Sequence, residues 1–112
     1  MSIHHPVTGE AYNRLKNDAL ENNQLVVVKF GAEWCGPCKK IEPVINKLAK
    51  ENENVVFIAV DAEEFDDIDD SNDVKGLPTF KFFKRDGDAP ECVVAFSGAN
   101  DEKIKEWVEK LR

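Results

Sequence analysis

Apolar residues recur along this chain with two alternating periods, and the alternation marks its elements. Residues 25–30, LVVVKF, and 55–61, VVFIAVD, are nearly unbroken β-branched runs, the pattern of strands buried on both faces. Between them Ile41, Val44, Ile45, Leu48 and Ala49 lie on one helical stripe reaching about residue 51. Strand, helix and strand in that order predict a parallel pair joined by a right-handed crossover. Pro43 sits inside the stripe, where its missing N–H and its clash with the Lys39 carbonyl should kink the helix.

The remaining pattern extends this unit on both sides. SIHHPV, residues 2–7, reads as a short first strand; Thr8 then caps a helix carrying Tyr12, Leu15, Ala19 and Leu20 and ending near Asn22 and Asn23. Downstream, residues 61–73 with Phe65, Ile68 and Val74 predict a short, exposed helix. TFKFFK (79–84) and ECVVAF (91–96), joined by the turn-rich RDGDAP, predict an antiparallel hairpin. Asn100 caps a last helix with Ile104, Trp107, Val108 and Leu111 on one face. The expected architecture is α/β: a central mixed sheet with helices on both faces. No repeat or Gly/Ser linker divides the 112 residues, so one domain spanning 1–112 is expected.

Composition narrows the function classes. With 42% hydrophobic and 33% charged residues the balance is that of a globular protein, and no apolar run could span a bilayer. The start, MSIHHPVTGE, shows no basic region followed by an apolar stretch and a cleavage site, so a cytoplasmic location without membrane attachment is expected. A net charge of −7 argues against a nucleic-acid partner. Eight of the 22 acidic residues fall in residues 61–73. Lacking the ligand ladder, central glycine and closing glutamate of a calcium loop, they read as a solvated face.

Candidate chemistry centres on two of three cysteines. Cys35 and Cys38 stand two residues apart at a helix start, where unpaired N–H groups and the dipole favour a thiolate at Cys35. Gly36 permits close approach, and Pro37 suits a first helical turn. Two other readings exist. The pair is half of a zinc site, for which only Cys92 and the His4–His5 pair offer further ligands, or it is an inert buried pair. The βαβ setting favours thiol–disulfide redox chemistry, with no metal.

WCGPC, residues 34–38, within FGAEWCGPCKKIEPV, closely resembles the active-site stretch of the thioredoxin family. VKGLPTF (74–80) resembles that family's cis-proline segment, and FSGAN (96–100) its downstream glycine loop, in family order and spacing. The resemblance spans nearly the whole chain. It implies a thioredoxin-like fold and reduction of protein disulfides, with Cys35 attacking and Cys38 resolving. It further implies disulfide-containing protein substrates, no bound cofactor, a monomer, and recycling by thioredoxin reductase, so that NADPH acts only indirectly. Pro78 matches the cis-proline beside the cysteines, next to which the Leu77 backbone would pair with substrate. Trp34, Pro37, Gly76, Leu77, Gly98 and Ala99 match the apolar docking surface.

The chain also departs from that family. Lys29 stands where thioredoxins usually carry a buried aspartate beneath the cysteines. It either snorkels to a carboxylate such as Asp61 or Glu63, stabilises a thiolate as a cation, or accepts the Cys38 proton as a neutral base. Gly31 replaces a residue that is often aromatic or small and polar, which predicts looser packing behind the site. Asn72 and Gly76 occupy places where some members carry regulatory cysteines. The loop around RDGDAP is expected to be long, and Cys92 to be a small packed hydrophobe.

Overall fold

The computed structural model describes residues 3–64, 67–86 and 89–112. In chain order its elements are β1 (Ile3–His4), α1 (Gly9–Glu21), β2 (Val26–Gly31), α2 (Gly36–Glu51), β3 (Val56–Asp61), β4 (Thr79–Asp86), β5 (Ala89–Ser97) and α3 (Asp101–Leu111), with a 3-10 turn at Asp69–Ser71. The sheet order is β1-β3-β2-β4-β5. β1, β3 and β2 run parallel, while β4 is antiparallel to both β2 and β5. The helix caps fall at the predicted polar residues. Thr8 accepts the Ala11 N–H at 3.0 Å, and Asn100 accepts that of Lys103 at 3.1 Å. α2 is continuous through Pro43.

Strand alternation divides the core into two layers. Val27, Phe57, Phe80 and Phe82 pack with Ile41 and Ile45 of α2 and Ile104 and Val108 of α3. Val26, Val28, Phe30, Ile58 and Phe83 pack instead with Tyr12, Ala19 and Leu20 of α1. Along β2, Lys29 therefore follows Val27 onto the α2 side. Both faces of the central strands are packed against helices, which explains the nearly unbroken apolar runs.

Two expectations need correction. Among its described residues the acidic segment is not an exposed helix: only Asp69–Ser71 form a 3-10 turn, Ile68 is 1% exposed, and Phe65 lies outside the described residues. Nor is the segment simply a solvated face, because its carboxylates are used as anchors. Asp67 accepts the Gly9 N–H at 2.8 Å, Asp70 accepts Tyr12 Oη at 2.5 Å and Lys16 Nζ at 2.6 Å, and Asp73 accepts Lys81 Nζ at 2.6 Å. Hydrogen bonds to charged partners outweigh weak helix propensity in a run of aspartates. The hairpin strands also run further than predicted, to an Asp86–Ala89 pair. Residues 87 and 88, the centre of the loop expected to be long, lie outside the described residues.

The Gly9–Asp67 contact supplies a test of this anchoring. A Cβ at residue 9 would collide with the Asp67 carbonyl oxygen. Gly9→Ala is therefore expected to cost about 1–3 kcal/mol. The readout is a lower urea midpoint at constant slope; an unmoved midpoint would mean that the acidic segment yields without cost.

Candidate active site

The register of the sheet gathers four connections at one end. Phe30 of β2 lies beside Thr79 at the start of β4, Thr79 lies beside Ser97 at the end of β5, and Gly31 lies beside Asp61 at the end of β3. The segments leading on from β2, β3 and β5, and the one entering β4, thus share an edge. They carry Trp34 to Cys38, Glu63, Gly98 with Ala99, and Gly76 to Pro78 respectively.

Cys35 is the cap of α2, and its Sγ accepts the Cys38 N–H at 3.1 Å. The two sulfurs are bonded to each other, with Cα atoms 5.2 Å apart. Each cysteine is only 3% exposed, so accessibility does not rank them. The hydrogen bond does, since a donor and a helix N-terminus directed at Cys35 stabilise negative charge there. Pro37 occupies the first turn, and Gly36 and Pro37 are exposed. A Cβ on Gly36 would meet nothing within 4 Å, so no part of the chain packs against the turn between the two cysteines at that point.

Trp34 is 68% exposed, yet its indole is fixed: Nε1 donates to Glu63 Oε1 at 2.7 Å. Across the edge the Leu77–Pro78 peptide is cis and Pro78 is buried. The Pro78 carbonyl accepts the Gly98 N–H at 2.8 Å, and Thr79 Oγ1 bridges the Gly76 carbonyl at 2.5 Å and Ser97 Oγ at 3.0 Å. Gly98 has φ +105°, a conformation that side chains disfavour, so glycine there is a backbone requirement. Leu77 is half-buried and Ala99 exposed.

Lys29 pairs with neither carboxylate expected for it. Asp61 Oδ1 is occupied by the Glu63 and Glu64 N–H groups at 3.0 Å each, and Glu63 holds Trp34. Lys29 Nζ lies 3.8 Å from Glu42 Oε1 on α2, with side-chain exposures of 12% and 56%. Burial pushes the lysine's pKa down, and the Glu42 carboxylate opposes that shift. Glu42 escaped the sequence reading, although it follows Cys38 by four residues and so shares its face of α2.

Gly31 is buried and lines a cleft of about 190 Å³ behind the disulfide, in keeping with the looser packing expected there. A Cβ on it would stand 3.1 Å from Cys38 Sγ, so its missing side chain also makes room for Cys38. Cys92 is not a packed hydrophobe but exposed on β5. Partial burial still raises its thiol pKa, with Lys81 opposing. Because β5 and β1 are opposite edges of the sheet, Cys92 and His4 are poorly placed to complete one metal site. Among the described residues no group of three or more His, Cys, Asp or Glu is placed to hold a metal ion, and no helix is long and apolar enough to cross a membrane.

A mixed sheet of this order, with a cysteine pair closing the first turn of the helix after its central strand, defines a thiol–disulfide redox protein. The thioredoxin family model matches residues 5–110. The chain is 43% identical to the thioredoxin of Sus scrofa over 101 residues, 90% of each chain. To that of Oryctolagus cuniculus it is 46% identical over 89 residues, 80% of this chain and 81% of the relative. The solved thioredoxin of Fasciola hepatica matches with a TM-score of 0.85 and 36% identity, covering 97% of this chain and 99% of that one. The thioredoxin of Nicotiana alata matches with a TM-score of 0.88 and 30% identity, covering 99% and 93%. The chain belongs to the thioredoxin family, and its Cys35–Cys38 pair equips it as a thiol–disulfide oxidoreductase.

Proposed function

We propose that the protein is a protein-disulfide reductase in which Cys35 is the attacking thiolate and Cys38 the resolving thiol. The observation that carries this assignment is the Cys38 N–H directed at Cys35 Sγ at the helix start. In the dithiol form Cys35 attacks a substrate disulfide, forming one S–S bond while the substrate's second sulfur leaves as a thiolate and takes a proton from solvent. Cys38 then attacks Cys35 Sγ, breaking the mixed disulfide, closing Cys35–Cys38 and releasing the other substrate thiol. Two electrons pass to the substrate, and no bound cofactor is required.

Trp34, Gly36, Pro37 and Pro78 support the pair, and Gly76, Leu77, Gly98 and Ala99 form the substrate edge. The fixed indole and the Pro78–Gly98 hydrogen bond favour that reading, because a rigidly held edge suits an extended peptide. Residues 1–112 act as one thioredoxin domain, as a cytoplasmic monomer recycled by thioredoxin reductase, with NADPH as the indirect electron source. Insulin reduction by dithiothreitol tests the activity. Precipitation no faster than the protein-free control would reject it.

Lys29 tunes the pair. A cation beneath the cysteines favours thiolate and hence the reduced form, so Lys29→Asp is expected to make the reduction potential more negative, by about 30 mV per 1.4 kcal/mol of lost stabilisation. Equilibration with glutathione measures it; an unchanged potential together with unchanged thiol pKa values would exclude the effect.

A further inference from the structure

Three groups meet in one cleft behind the disulfide. Lys29 comes from β2, and Cys38 and Glu42 from successive turns of one face of α2. Cys38 Sγ and Lys29 Cε lie 3.1 and 3.7 Å from the point a Cβ on Gly31 would occupy, so lysine stem and sulfur flank the same vacant position. The neighbour of Lys29 on β3 is Ala59, too small to close the space, and a cleft of about 190 Å³ remains. His5, Glu33 and Asp61 complete its titratable lining, and Lys29 is its one lysine or arginine among the described residues.

From this juxtaposition we propose that Glu42 is a positioning residue for the resolving step, holding Lys29 as an ammonium beside Cys38 so that the Cys38 thiolate forms against a cation rather than by proton transfer to a base. Besides His5 and Cys38 itself, the other titratable groups of the cleft are the carboxylates Glu33, Glu42 and Asp61, a surround in which a thiolate without Lys29 is disfavoured. Glu42 is the outermost of the three meeting groups, more than half exposed, while Lys29 is nearly covered. A carboxylate at the mouth retains the charge of an amine that burial drives toward neutrality. The Cys38 proton leaves to water in the cleft; the thiolate then attacks Cys35 Sγ and the substrate sulfur departs with the bonding pair.

The inference rests on the assignment of Cys35 and Cys38 given above, and its test separates the two. Reduced protein is mixed with an aromatic disulfide whose thiolate is coloured. The first release reports attack by Cys35 and the second reports resolution by Cys38, each followed against pH. Lys29→Met is expected to move the midpoint of the second phase up by about one pH unit, roughly a tenfold slower resolution near neutrality. Lys29→Arg, which keeps a charge that cannot be removed, should stay near the parent midpoint. Glu42→Gln should lower the pH at which the Lys29 side chain titrates in the oxidised protein, read by NMR. If arginine proves as damaging as methionine, Lys29 is a base and the proposal falls. It falls equally if the second phase ignores both Lys29 variants, or if Lys29 titrates alike with and without the carboxylate. Loss of the second phase in the parent protein would instead overturn the assignment of Cys38.

Discussion

Cys38→Ser is expected to convert a turning-over reductase into a trap. Cys35 remains at the helix start with the N–H of residue 38 still available to its sulfur, so the first exchange with a substrate disulfide proceeds. No second thiol stands within the loop to release the product. Cys92, the remaining cysteine, lies on β5. A stoichiometric mixed disulfide should accumulate, visible by non-reducing electrophoresis and mass spectrometry, while insulin reduction drops to the uncatalysed rate. Cys35→Ser should abolish turnover as well but trap nothing. Equal trapping by both variants would mean that the two sulfurs are interchangeable, and that the helix-start hydrogen bond does not choose the nucleophile.

The second large effect concerns the frame rather than the sulfurs. Phe80 is fully buried in the layer between the sheet and α2 with α3, beside Lys29 on one neighbouring strand and Phe96 on the other, whose ring centroid is 5.8 Å from its own. Phe80→Ala removes a ring from a close-packed layer and should cost about 3–5 kcal/mol. That is a large share of the stability of a domain this size, and it corresponds to a fall in Tm on the order of 15 °C. Thermal unfolding followed by circular dichroism measures it. A fall of only a few degrees would show that the layer collapses around the gap, and the cleft lined by Phe80 and Lys29 would then be the place to look for the compensating shift.

What could be read in the sequence followed the strength of each local pattern. The two buried strands, the helix from the cysteines and the polar caps Thr8 and Asn100 declared themselves, because apolar period and capping chemistry act over a few residues. The acidic segment misled for the opposite reason. Asp67, Asp70 and Asp73 are held by Gly9, by Tyr12 and Lys16, and by Lys81, donors distant in sequence. The same limit applies at the site. Cys35, Cys38, Trp34, Pro78 and Gly98 stand in short motifs. The partner of Lys29 depends on which carboxylates are already engaged, and only the fold shows that Asp61 and Glu63 are spent elsewhere. Gly31 is similar: the sequence shows a missing side chain, but only the fold shows that Cys38 sits against that position and that a cleft lies beside it.

The brevity of β1 has its own bearing on the redox centre. Its pairing stops with His4 against Ile58; one step further would set His5 against Ala59, and the residue after that is Pro6, which has no N–H to give a ladder. Beside Ala59 the ladder of β3 therefore has no partner in β1, and His5 and Ala59 instead line the cleft that Lys29 and Cys38 share. The outer strand thus ends where the cleft behind the disulfide begins, so that side of the redox centre is bordered by His5 rather than by a continued ladder.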